Sequence, residues 1–196
     1  MTQSLPETVP AMPAEIAALR DDAEPVWIFA YGSLLWDAEL GDAAAEPAVL
    51  HGYHRSFCLY SYDYRGTPAA PGLTLGLDRG GSCRGAALPL SIDRLDRVWH
   101  REMSGRLVYA ARLLRIGIAG ASRQALAFTA LRSCPDYAGQ LSIDEAAHII
   151  VAAAGSRGSC REYFDNTLSH LAQLGLVDRP LRRLAERVEA LASDRV

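Results

Sequence analysis

The apolar run Val26-Trp27-Ile28-Phe29-Ala30 stops at Gly32 and Ser33. It is short for a buried helix and bulky throughout, so it predicts a buried strand. Residues 48–61 (AVLHGYHRSFCLYS) are rich in β-branched and aromatic positions. Residues 73–77, 83–90, 106–116 and 123–131 read the same way, with Gly, Pro and Ser clusters between them. Residues 64–72 (YRGTPAAPG) predict a loop, because proline removes a ladder donor from any central strand.

One helix interrupts the strands. Leu95, Val98 and Trp99 follow i, i+3, i+4 spacing in SIDRLDRVWHREM, which predicts a helix over 91–103 with Ser91 as its N-cap. The last third of the chain turns helical. Ser142-Ile143-Asp144-Glu145 reads as a capping box for a helix stopped by Gly155, and Ser159-Cys160-Arg161-Glu162 as a second box. The second helix spaces Tyr163, Phe164, Thr167, Leu168, Leu171 and Leu174 helically and closes at Gly175. Asp178 caps a final helix with Leu181, Leu184, Val188 and Leu191 on its stripe. Strands with one early helix, followed by helices, predict an α+β fold: a small mixed β-barrel with helices packed outside. Residues 1–25 carry Pro6, Pro10, Pro13 and Pro25 and predict a flexible leader, with a helical turn or two after Pro13. Residues 26–196 read as a single domain.

Composition narrows the class. A chain of 196 residues buries a core without disulfides or structural metal, and a net charge of −3 argues against generic binding to nucleic acid or an anionic membrane. Every basic position is arginine, so Schiff-base and P-loop lysine chemistry are excluded. No apolar run spans a bilayer, and the start lacks the basic and apolar regions of a secretory signal. Cys58, Cys83, Cys134 and Cys160 are scattered and predict reduced, structural thiols in a cytoplasmic protein. His51 and His54 on a strand point to opposite faces, so no metal site is expected there.

Two features carry candidate chemistry. Glu102 lies at i+4 from Val98 and i+7 from Leu95, so it continues the buried stripe although the helix has polar faces to spare. A carboxylate there is a general acid/base candidate, because desolvation raises its pKa toward neutrality. The alternative is a helix-end acid bonded to Arg101, Arg106 or a backbone amide. Tyr31-Gly32-Ser33-Leu34 turns the chain directly after the first strand, and its successive N–H groups suit a carboxylate or an oxyanion. The alternative is an ordinary strand-to-loop turn.

With these residues in view, the chain resembles the ChaC family of γ-glutamylcyclotransferases, which act on glutathione. The resemblance rests on Phe29-Ala30-Tyr31-Gly32-Ser33-Leu34-Leu35-Trp36, Gly52-Tyr53-His54-Arg55-Ser56-Phe57-Cys58 and Gly66-Thr67-Pro68 to Pro71-Gly72. It continues through Arg101-Glu102-Met103 with Tyr109, Tyr163-Phe164-Asp165-Asn166-Thr167, and Gly175-Leu176-Val177-Asp178. It covers roughly 26–191; one departure is Leu35, where the family usually has isoleucine or methionine before the tryptophan. The resemblance implies a γ-glutamylcyclotransferase-like barrel, no cofactor, and a reaction that cyclises the γ-glutamyl group to 5-oxoproline and releases Cys-Gly. It gives Glu102 the acid/base role and the segment Ile28, Phe29, Ala30, Tyr31, Gly32, Ser33, Leu34 the γ-glutamyl group. Tyr109 is a candidate to orient Glu102 or substrate, Arg55 to pair with a substrate carboxylate, and Tyr163 to reach the pocket. A half-buried tyrosine, a structural ion pair and a packing tyrosine are their respective alternatives. Other γ-glutamyl peptides or amines, or a non-catalytic metabolite-binding regulator of cation transport, are the competing functions.

Overall fold

The computed structural model describes residues 9–20, 25–36 and 45–193. Strands β1 (Val26–Ala30), β2 (Glu46–Ser61), β3 (Gly72–Leu90), β4 (Tyr109–Ile118) and β5 (Ala121–Ala130) close into a barrel in the order β1-β3-β2-β4-β5. β1 runs antiparallel to β3 and pairs in parallel with β5 at Ile28↔Leu126, so the sheet is mixed. A strand paired on both edges and covered on both faces has no solvent side, which is why β1 is apolar without alternation. The α+β barrel expected from the pattern is present. Residues 73–77 and 83–90, expected as two strands, are one: Gly80 and Gly81 take positive φ (105° and 68°) and bend β3 internally rather than ending it.

The described residues fall into two compact units, 1–54 with 79–131 and 55–78 with 132–196; β2 and β3 run through both. In the first unit, helix α1 (Ala14–Ala17) follows Pro13 as expected, and helix α2 (Ile92–Met103) buries Leu95, Val98, Trp99 and Met103. Over residues 9–20 the expected flexible leader is instead packed. Ile16 is 1% exposed in one core cluster with Val26, Ile28, Ala30, Leu95, Val98 and Trp99. Apolar side chains among the prolines find a tertiary partner, which composition alone does not reveal.

In the second unit, helix α3 (Ile143–Ala152) starts on the predicted capping box, with both reciprocal bonds between Ser142 and Glu145. It ends before Gly155, which instead lies in a short pair, β6 (Ala154–Gly155) with β7 (Gly158–Ser159). Glycine is needed at 155 for closeness, since a Cβ would run into the Asp63 carbonyl. Helix α4 (Cys160–Gln173) begins with Ser159 Oγ accepting the Glu162 N–H at 3.0 Å, and Gly175 (φ 65°) turns the chain after it. Helix α5 (Arg179–Ser193) is capped by Asp178, whose Oδ1 accepts the Leu181 N–H at 3.1 Å. No described helix is long and apolar enough to cross a membrane.

Candidate active site

Glu102 stands near the end of α2, one turn beyond Val98 and Trp99, and its side chain is 12% exposed. The stripe therefore carries it inward, while Asp93, Asp96, Arg97, His100 and Arg101 on the other faces are exposed. Arg101 Nε approaches Glu102 Oε1 at 3.4 Å, so the inward carboxylate and the arginine contact weighed from sequence coexist.

The Tyr31 turn follows from the end of β1. Ile28, Phe29 and Ala30 pair with Leu88, Ala87 and Ala86 of β3, and the ladder stops at Ala30. Beyond it the chain curls into a 3-10 helix, Ser33–Trp36, with Leu35 N–H donating to the Gly32 carbonyl at 2.8 Å. Tyr31 and Leu34 are buried, and Ser33 is half-buried. Tyr31 Oη donates to the Phe128 carbonyl on β5 at 2.7 Å, which pins the turn to the barrel. Ile28, Ala30 and Leu34 share one apolar cluster with Leu95, Val98, Trp99, Met103 and Phe128. The strand end that presents the turn and the helix stripe that carries Glu102 thus pack on the same core. Tyr109 packs against this cluster opposite Ala130.

Arg55 and Tyr163 belong to the second unit. Arg55 is 2% exposed and its Nη1 donates to Asp178 Oδ2 at 2.7 Å, so it buttresses the cap of α5. Tyr163 stands edge-on to Phe57 with centroids 5.9 Å apart, and the Arg65 guanidinium lies 5.2 Å over its ring. Arg55 thus makes an ion pair with Asp178, and Tyr163 packs against Phe57.

Sequence reasoning missed the inward acid Asp78. Asp78, 2% exposed, accepts from Arg132 Nε at 2.6 Å and from Tyr137 Oη at 2.8 Å. Burial pushes the nearby Cys58 thiol up to about 12, with the Asp78 charge adding to it. Burial and the bond to Asp78 push the Tyr137 hydroxyl to about 12 as well. Burial likewise raises the Cys160 thiol to about 11. Such thiols stay protonated and unreactive at neutral pH. The only signal for Asp78 was its place after Leu73, Leu75 and Leu77, and the following Gly80-Gly81 made it read as turn.

Comparison with known proteins adds the lineage. The family model described as ChaC-like protein matches residues 26–191. The chain belongs to the ChaC-like family. A glutathione-specific gamma-glutamylcyclotransferase of Escherichia coli (strain K12) is 32% identical over 186 residues, covering 92% of this chain and 80% of the relative. Gamma-glutamylcyclotransferase 2-3 of Arabidopsis thaliana is 31% identical over 181 residues, covering 86% of this chain and 91% of its own length. A crystal structure of a yeast γ-glutamyl cyclotransferase specific to glutathione superposes with a TM-score of 0.75. It is 20% identical over 86% of this chain and 97% of that one, and it supports the barrel fold.

Proposed function

We propose that the chain is a γ-glutamylcyclotransferase that converts glutathione to 5-oxoproline and Cys-Gly, with Glu102 as general acid/base. The observation that carries the mechanism is the placement of Glu102, nearly buried on the stripe that shares a core with the Tyr31–Leu34 turn. The relatives named as glutathione-specific cyclotransferases, matched over most of the chain, supply the substrate class.

The nucleophile is the substrate's own α-amine. It attacks the γ-carbonyl carbon, a ring C–N bond forms, and the amide C–N bond to cysteine breaks; no water is consumed. Folding the γ-glutamyl chain into the ring-closing shape supplies much of the rate. The protein must accept the ammonium proton, stabilise the oxyanion and return a proton to the leaving amine. Glu102 serves the first and third tasks, and the Tyr31–Leu34 amides the second.

A free α-ammonium titrates near 8, so a base at the ordinary carboxylate value of about 4.3 makes the transfer uphill by about 5 kcal/mol. A base near 6.5 reduces that to about 2 kcal/mol, small beside the 8 kcal/mol or more by which enzymes typically lower barriers. Withdrawal from solvent is the change of environment that moves a carboxyl in that direction. Tyr109, on the strand after α2, is the residue we assign to orient the acid or the substrate. The four free cysteines fit a reducing compartment, and we place the reaction in the cytoplasm.

The test is incubation of the purified chain with glutathione and with a panel of γ-glutamyl peptides and γ-glutamylamines, reading 5-oxoproline. Expected is release from glutathione in preference to the panel. Preference for a γ-glutamylamine would overturn the substrate, and no 5-oxoproline from any member would overturn the reaction.

A further inference from the structure

The described part of the leader lies outside the residues that the family model matches, yet it holds the helix bearing Glu102. The Pro10 carbonyl accepts the Trp99 indole N–H at 2.9 Å. Ile16 is buried in the same cluster as Leu95, Val98, Trp99 and Met103, and Val9, Met12 and Leu19 pack against that cluster. Arg20 pairs with Asp96 on the same helix. These contacts reach α2 at Asp96 and Trp99, and Trp99 precedes Glu102 by one helical turn.

Trp99 also faces the other half of the proposed site. Its ring lies 6.3 Å from that of Phe128, and the Phe128 carbonyl is the acceptor that pins Tyr31. One indole therefore touches the leader, carries the helix of the acid, and rests on the residue that fixes the turn. Removing the leader contacts would leave the indole N–H without its carbonyl and bare one flank of α2 to water, costs that favour a tilted or frayed helix.

We propose that residues 9–20 act as a strap that sets the position of Glu102 through Trp99, so that Trp99 and Ile16 are positioning residues for turnover. The proposal rests on the function proposed above for its catalytic consequence, but the coupling between strap and helix stands apart from it. Proton transfer and ring closure are sensitive to displacements of about 1 Å, so a loosened α2 lowers kcat more than it weakens substrate binding.

The experiment uses the full chain with Ile16→Asp, which places a charge where the strap is buried, and Trp99→Phe, which keeps a ring but deletes the donor. Hydrogen exchange is read on α2 and on β4–β5, alongside kcat and KM for glutathione. In Ile16→Asp, exchange in α2 is expected to rise with that of the strap while β4–β5 stays protected. The kcat is expected to fall about tenfold, with KM within about threefold. Trp99→Phe should move kcat in the same direction by a smaller factor. If Ile16→Asp does not fold, Ile16→Ala replaces it. Unchanged α2 exchange beside a freely exchanging strap would overturn the coupling. A loosened α2 with unchanged kcat would overturn the positioning role. A wild-type chain that releases no 5-oxoproline would sink the function alone, since the exchange readings still decide whether the strap holds the helix.

Discussion

Each unit of this protein holds an acid that is nearly withdrawn from solvent, and the two are held in opposite ways. Asp78 in the second unit is gripped by Arg132 at 2.6 Å on one carboxylate oxygen and by Tyr137 at 2.8 Å on the other. Glu102 in the first unit has its arginine contact at 3.4 Å from a side chain that is itself 37% exposed. Short bonds to both oxygens hold a carboxylate in one position. Glu102 stands on an apolar stripe with a longer contact to a partly solvated guanidinium. Burial alone therefore does not separate the acid proposed for catalysis from one held by short bonds.

The sharpest way to break that contrast is Glu102→Gln. It keeps shape and packing, so the fold and thermal midpoint should hold while kcat falls by about a hundredfold or more, the usual weight of an acid/base group. Near-normal turnover in a steady-state 5-oxoproline assay would place the chemistry elsewhere. The next effect in size falls on stability. Arg55→Met removes the buried cation that faces Asp178 and should cost about 2–3 kcal/mol in urea unfolding. The kcat/KM of the folded fraction should stay within about threefold of the original. A selective rise in KM at unchanged stability would instead give Arg55 to a substrate carboxylate.

How much of this was readable in advance depends on distance along the chain. β1, α2, the Ser142 box and the Asp178 cap were legible because their signals are local: an apolar run, a 3.6-residue stripe, side chains that bond an N–H three residues on. Glu102 was legible for the same reason, as one more position on a stripe. The Arg55 and Asp178 partners are 123 residues apart, and no periodicity links them. Asp78 was hidden by the glycines after it, which read as a turn until barrel closure used them to bend one long strand. The packing of residues 9–20 was hidden by proline content, which describes how an isolated segment behaves and not what Trp99 offers it.

Two smaller effects sharpen the Asp78 half of the contrast. Asp78→Asn weakens the bonds to Arg132 and Tyr137, and because Arg132 is 43% exposed and can return to water, about 1–2 kcal/mol of stability should be lost. Turnover of the folded fraction should change little, unlike that of Glu102→Gln. The last effect appears only at alkaline pH. Cys58 and Tyr137 are raised from 9.0 and 10.0 to about 12, so the folded chain holds these protons more tightly than the unfolded chain does. Between those values the native state binds the extra protons, and stability falls as pH rises. The contribution is complete below the unfolded values and is lost on approach to 12, with a slope of at most about 1.4 kcal/mol per pH unit for each group. Tyr137→Phe deletes one of the two groups. Its urea midpoint should lie below that of the original chain at pH 8, and the gap should narrow as both are measured upward through pH 10 and 11. Glu102→Gln should track the original chain over the same range. Parallel curves for Tyr137→Phe would mean that neither burial nor the bond to Asp78 holds the hydroxyl proton, and the grip on Asp78 would be weaker than its short bonds indicate.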